Sequence, residues 1–181
     1  MALFDFHTHN PLVAPGGGIW SLPRDIVTGR SAFEPKPGVL CSAGLHPWWL
    51  PAMDDAALAA CLAHIAVLLR HDAVVMVGEC GLDRLRGGDL LRQRAVFERH
   101  IALSEAYGLP LTIHCVRCLD VLLAVRKAVR PRQQWTLHGF RGGEKQAAQL
   151  LAAGIDLSFG PQRNAAAWNL TPPSRRHEET D

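Results

Sequence analysis

The chain has 181 residues, 48% of them apolar, and a formal net charge of +2, which suits one domain with a full core and excludes a disordered polypeptide. So small a charge also excludes a protein that coats nucleic acid by bulk attraction, while leaving room for an enzyme that handles a few phosphates locally. No apolar run reaches the length of a membrane span and no basic-then-apolar signal opens the chain, so a cytoplasmic protein with no membrane partner is expected.

Residues 2–9, Ala2-Leu3-Phe4-Asp5-Phe6-His7-Thr8-His9, predict a strand. Alternation puts Leu3, Asp5, His7 and His9 on one face and Phe4 and Phe6 on the other. Two imidazoles about 6–7 Å apart at the strand's carboxyl end can grip one metal ion. Pro11, Pro15 and the run Gly16 to Gly18 predict an exposed loop, followed by a short strand over 19–22. Residues 23–38 hold three prolines and no clear period, so loop with at most a short helix is expected. Val39 to Ala43 predicts a strand leading into Gly44-Leu45-His46-Pro47, and Asp54 caps a helix whose face carries Leu58, Cys61, Leu62, Ile65, Leu68 and Leu69.

Residues 73–77 are apolar on both sides, as in a parallel strand covered on both faces, and run into Gly78-Glu79. A helix follows from about Asp89 to Tyr107, stopped by Gly108. The remaining pattern is a strand over 109–113 ending in His114, a helix over 118–129 ended by Pro131, and a strand over 135–137 ending in His138. A helix over 144–153 stopped by Gly154 and a strand over 155–159 complete it. Strand and helix in alternation mean crossover units and a parallel sheet. No repeat or domain boundary interrupts residues 1–181, which read as a single domain. The five cysteines are odd in number and irregularly spaced, so reduced thiols are expected; Cys115 and Cys118 have no second pair to complete a zinc site.

Ligand-type residues recur at the carboxyl ends of separate strands: His7 and His9, Glu79, His114 and His138, with Asp181 at the end of the sequence. Sites in parallel α/β sheets and barrels form there. Histidine with carboxylate suits zinc, manganese, iron, nickel or cobalt, and less plainly magnesium. One glutamate among several histidines leaves room for two metals about 3.5–4 Å apart, bridged by Glu79.

Asp5-Phe6-His7-Thr8-His9, Gly44-Leu45-His46-Pro47, Gly78-Glu79-Cys80-Gly81-Leu82-Asp83, Ile113-His114-Cys115, His138-Gly139-Phe140 and Glu179-Thr180-Asp181 occur in this order. The series resembles the TatD family of metal-dependent hydrolases, DNase-like members of the amidohydrolase superfamily. The resemblance implies a TIM-type (β/α)8 barrel and a deoxyribonuclease or exonuclease that cleaves phosphodiester bonds with two divalent metal ions (Mg, Mn or Zn). It implies that His7, His9 and Asp181 bind the first metal, and His114 and His138 the second, with Glu79 bridging. Asp181 then orients the attacking water and accepts its proton, and Asp83 supports a ligand from behind. By the same resemblance His46 and Arg117 would lie near the phosphate, and Arg141, shortly after a strand, could offer a further donor. Arg117 stands one place later than the family's arginine, and Gly139 replaces a residue that is often cysteine. The implied partner is DNA or nucleic-acid ends, acted on by a monomer.

The C-terminal part departs from this pattern. A (β/α)8 barrel typically takes about 250 residues. No helix follows the last expected strand, so the domain reads as truncated at its C terminus. Ser174-Arg175-Arg176-His177-Glu178-Glu179 is polar on both alternating faces, whereas a barrel strand needs one apolar face. This last segment is therefore expected to pair poorly and close the barrel imperfectly. Two other readings stay open: a metal-dependent hydrolase of a small amide, ester or phosphoester, and a non-catalytic remnant serving as a scaffold.

Overall fold

A computed structural model describes residues 4–181. Eight parallel strands stand in chain order in one sheet: β1 (Asp5–Thr8), β2 (Gly18–Ser21), β3 (Leu40–Ala43), β4 (Val74–Asp83), β5 (Leu111–Val116), β6 (Trp135–Leu137), β7 (Ile155–Phe159) and β8 (Arg176–Glu178). The helices are α1 (Arg24–Val27), α2 (Asp55–Leu68), α3 (Leu90–Tyr107), α4 (Leu119–Val129), α5 (Glu144–Ala152) and α6 (Ala165–Leu170). The sheet curls into a nearly closed (β/α)8 barrel, as expected. The helix limits follow local chemistry. The Asp54 side chain accepts the Ala57 N–H at 2.7 Å, and Gly108 turns left-handed at φ 67° to stop α3.

The strands alternate. Cys41, Ala43, Leu111, Ile113, Trp135, Leu137, Ile155, Leu157 and Phe159 pack in one cluster with Ile65, Phe97, Leu122, Val125 and Leu150 of the helices. Between them Ser42, Thr112, Thr136, Asp156 and Ser158 are buried on the opposite face, toward the barrel axis. The axis is therefore unusually polar, with Phe6, Ile19 and Met76 forming a small separate apolar cluster.

That polarity corrects the expectation that the last segment pairs poorly, while closure is incomplete, as expected. β8 pairs in register with β7, Leu157 opposite Arg176, Ser158 opposite His177 and Phe159 opposite Glu178. Arg175, just before it, donates from Nε to Asp156 Oδ1 at 2.6 Å and from Nη1 to the Leu151 carbonyl at 2.9 Å. His177 stacks on Phe6 with ring centroids 4.2 Å apart. A polar strand suits a barrel whose neighbouring strand presents Asp156 and Ser158. Closure onto β1 is made by side chains: among the described residues β8 and β1 share no backbone ladder. Instead the Thr180 N–H donates to Asp5 Oδ1 at 3.0 Å, its hydroxyl donates to Oδ2 at 2.5 Å, and the Thr8 and Thr180 hydroxyls meet at 3.2 Å.

Candidate metal centre

β4 runs six residues past its predicted end, so Glu79 lies within the strand rather than after it. Its glycines permit this. Gly78 and Gly81 have φ of 133° and 146°, and a Cβ on Gly81 would overlap the His114 carbonyl of β5. His114 likewise lies inside β5, not beyond it. The buried Glu79 side chain becomes the hub. Its Oε2 lies 3.3 Å from His7 Nε2 and 3.4 Å from His9 Nε2. Its Oε1 lies 3.0 Å from His46 Nε2, 2.9 Å from His114 Nδ1 and 2.8 Å from His138 Nε2. Asp181, with a side chain 35% exposed, sits at the rim, Oδ1 3.7 Å from His9 Nε2 and Oδ2 3.8 Å from His138 Nδ1.

Thus His7, His9, Glu79, His114, His138 and Asp181 converge, and His46, expected beside a phosphate, lies against Glu79 as well. Among the described residues three groups have donor atoms close enough to share a cation: His7 with His9 and Glu79, His46 with Glu79 and His114, and His7 with His138 and Asp181. His138 is not grouped there with His114, unlike the expected division of ligands. Arg117 and Arg141 are exposed and line the same cleft of about 710 Å³ as Trp48, His114, His138 and Asp181.

The electrostatics fit a cation. Burial alone would raise the Glu79 carboxyl, but the charge of His138 and hydrogen bonds from His114, His138 and His46 outweigh it and hold the group well below the usual range. Burial lowers His7 and His46. Both ring nitrogens of His7 are buried without a hydrogen-bond partner, as are His138 Nδ1 and Glu179 Oε2. Native interiors rarely leave such atoms orphaned, and His7, kept neutral by its burial, has a free lone pair to offer a metal. The residues present therefore fit a divalent metal.

Further side chains hold these donors in place. Asp83 Oδ2 lies 3.0 Å from His114 Nε2 and accepts the Trp48 indole N–H at 2.6 Å, which leaves His114 Nδ1 aimed at Glu79. The buried Gln93 amide accepts the Asp83 N–H at 2.7 Å and donates to the Asp83 and Gly88 carbonyls. Glu179 Oε1 accepts the Gly139 N–H at 2.6 Å and lies 3.5 Å from His138 Nδ1. Sequence reasoning assigned no role to Trp48, Gln93 or Glu179. It also missed His100 of α3, whose signal was its place on the stripe of Phe97 and Ile101.

His100 Nδ1 donates to the Val96 carbonyl at 2.8 Å, and Nε2 accepts the Leu45 N–H at 2.9 Å, fixing the backbone just before His46. Burial pushes its pKa down to about 4 from an ordinary 6.5. Between those values the unfolded chain carries more protons than the native one, so stability falls as pH falls. The loss reaches about 3 kcal/mol near pH 4 and then levels off. Urea melts from pH 7 to pH 4.5 should show a steeper decline for the native chain than for His100→Gln; equal slopes would contradict this origin.

A (β/α)8 barrel with histidines and carboxylates gathered at its strand ends is an architecture built to hold divalent cations. The chain belongs to the TatD related DNase family, whose model matches residues 22–181. A 3'-5' ssDNA/RNA exonuclease TatD of Klebsiella pneumoniae (strain 342) is 32% identical over 145 residues, covering 77% of this chain and 52% of the relative. An uncharacterized metal-dependent hydrolase YjjV of Escherichia coli (strain K12) is 33% identical over 119 residues, 65% of this chain and 45% of that one. The crystal structure of YjjV from Escherichia coli K12 superposes with a TM-score of 0.76 at 24% identity, covering 99% of this chain and 79% of that chain. A TatD family hydrolase from Entamoeba histolytica gives 0.75 at 21% identity, over 100% and 74% of the two chains. Both likenesses establish the fold. The chain spans about half the length of the curated relatives it matches.

Proposed function

We propose that this chain is a metal-dependent phosphodiesterase that degrades DNA or other nucleic acid from its ends, working as a monomer with two divalent ions. The observation that carries this reading is the division of histidines around one carboxylate. Glu79 Oε2 faces His7 and His9, while Oε1 faces His46, His114 and His138. Two ions would thus be held by these histidines with Glu79 shared between the two sets of rings and Asp181 reaching toward both from the rim. Mn or Zn suits so many imidazoles better than Mg. Such ions, when bound, supply a water acidic enough to ionise near neutral pH and offset charge on the phosphate oxygens.

The chain's own residues supply the rest. Asp181, part exposed and aimed at His9 and His138, orients the attacking water and accepts its proton. Asp83 and Glu179 fix the rings of His114 and His138 so that their donor atoms need not reorganise. Arg117 and Arg141 hold backbone phosphates along the cleft. The relatives named as ssDNA/RNA exonucleases support the choice of substrate.

Digestion of end-labelled single-stranded DNA across a salt series tests this reading. Arg117→Ala and Arg141→Ala should each weaken binding and reduce the slope of log K against log salt by about 0.7. Unchanged slopes in both would favour a small amide, ester or phosphoester as substrate. Cys115 and Cys118 have no place in the centre; burial pushes Cys115 up to about 12, keeping it a thiol at neutral pH. Changing both to serine should leave metal stoichiometry as it is, and loss of one equivalent would contradict the ligand set.

A further inference from the structure

Trp48 follows His46-Pro47 in the 3₁₀ helix Pro47–Ala52 and is 43% exposed, whereas its neighbour Trp49 packs against the core. An indole left open to solvent at the rim of a cleft, beside ligand-type histidines, invites a ligand. The ring is not loose. Its N–H is tied to Asp83 Oδ2 at 2.6 Å, and it meets His46 and His114 edge-on, with centroids 4.8 and 5.7 Å away. The Arg86 guanidinium lies 4.4 Å above the ring centroid. Asp83 Oδ1 accepts the Arg86 backbone N–H at 2.9 Å, and among the described residues the guanidinium itself forms no ion pair, so the indole face is what it rests on.

We infer that Trp48 is the stacking platform for the terminal nucleobase of the substrate strand, an inference that rests on the nucleic-acid function proposed above. A flat, electron-rich ring that takes a planar guanidinium also takes a planar base, and it does so for any base because each has a π-face. The base displaces Arg86, whose free charge then turns to the phosphate behind it. Arg117 and Arg141 line the same cleft as Trp48, so phosphate and base contacts come from one surface. Trp48 thereby reads the presence of a base, not its identity.

The test compares kcat/KM for a single-stranded oligonucleotide with ordinary ends and for one abasic at both terminal nucleotides. Native protein, Trp48→Phe and Trp48→Ala are each assayed with their metal content measured. Trp48→Leu is carried alongside in case the alanine variant does not fold. The native protein should favour base-bearing ends about tenfold or more. Trp48→Phe should keep most of that ratio, while the alanine and leucine variants bring it to within about twofold of unity. Trp48→Phe also loses the hydrogen bond to Asp83. If that bond is the residue's whole contribution, every variant loses rate on both substrates at an unchanged ratio. That result, or a native ratio near one, overturns the platform and leaves the nuclease function standing. A native protein that degrades neither oligonucleotide overturns both.

Discussion

Replacing Glu79 by glutamine should lower kcat/KM on single-stranded DNA by about a thousandfold or more, equivalent to about 4 kcal/mol of transition-state stabilisation. It should also lower bound metal. The two effects share one cause: each oxygen of Glu79 faces its own histidines, and an amide offers only one acceptor and no charge. The effect on metal separates this from a purely catalytic role. A variant that keeps both metal and activity at the native level would show that the centre lies elsewhere.

The largest effect on stability is expected at the far end of the polar barrel axis. Asp156 is buried, and Arg175 binds it from Nε at 2.6 Å while also donating to the Leu151 carbonyl. Arg175→Met keeps apolar length but leaves the carboxylate with only the more distant His177 Nε2, 3.7 Å from Oδ2. Because the Arg175 side chain is 30% exposed, the loss falls below that of a fully buried pair and is expected at about 1.5–3 kcal/mol, the worth of hydrogen bonds to a charged group. Combining it with Asp156→Asn should recover at least half of the loss. Urea denaturation of both singles and the double decides this. A loss below about 1 kcal/mol for Arg175→Met would mean that Asp156 is solvated in the native state.

This axis also explains what the sequence concealed. β1, β3, β5, β6, β7 and the long helices announce themselves by apolar period and by caps such as Asp54 and Gly108. β8 does not, because its polar residues look unfit for a strand until Asp156 and Ser158 of β7 are known to face inward beside it. β4 looked finished at Val77 because Gly78 and Gly81 resemble a break; their real service is the close approach to β5. The 3₁₀ helix after His46 and the short α6 are too brief to show a period. The site was legible as ligand-type residues recurring at strand ends. Which oxygen of Glu79 faces which ring, and that His46 joins the cluster, depend on how distant strands pack. His100 passed for an ordinary helix residue, although Phe97 and Ile101 place it on the buried face.

The proposed function makes these residues a metal centre used for cleavage at nucleic-acid ends. Its most direct test is elemental analysis of the native protein combined with digestion of end-labelled single-stranded DNA, before chelation, after chelation and after restoring Mg, Mn or Zn. The expected result is two equivalents of divalent metal, label released from chain ends, activity lost with the metal and regained when it returns. Full nuclease activity in the metal-free protein, or no metal uptake by a folded chain, would contradict it.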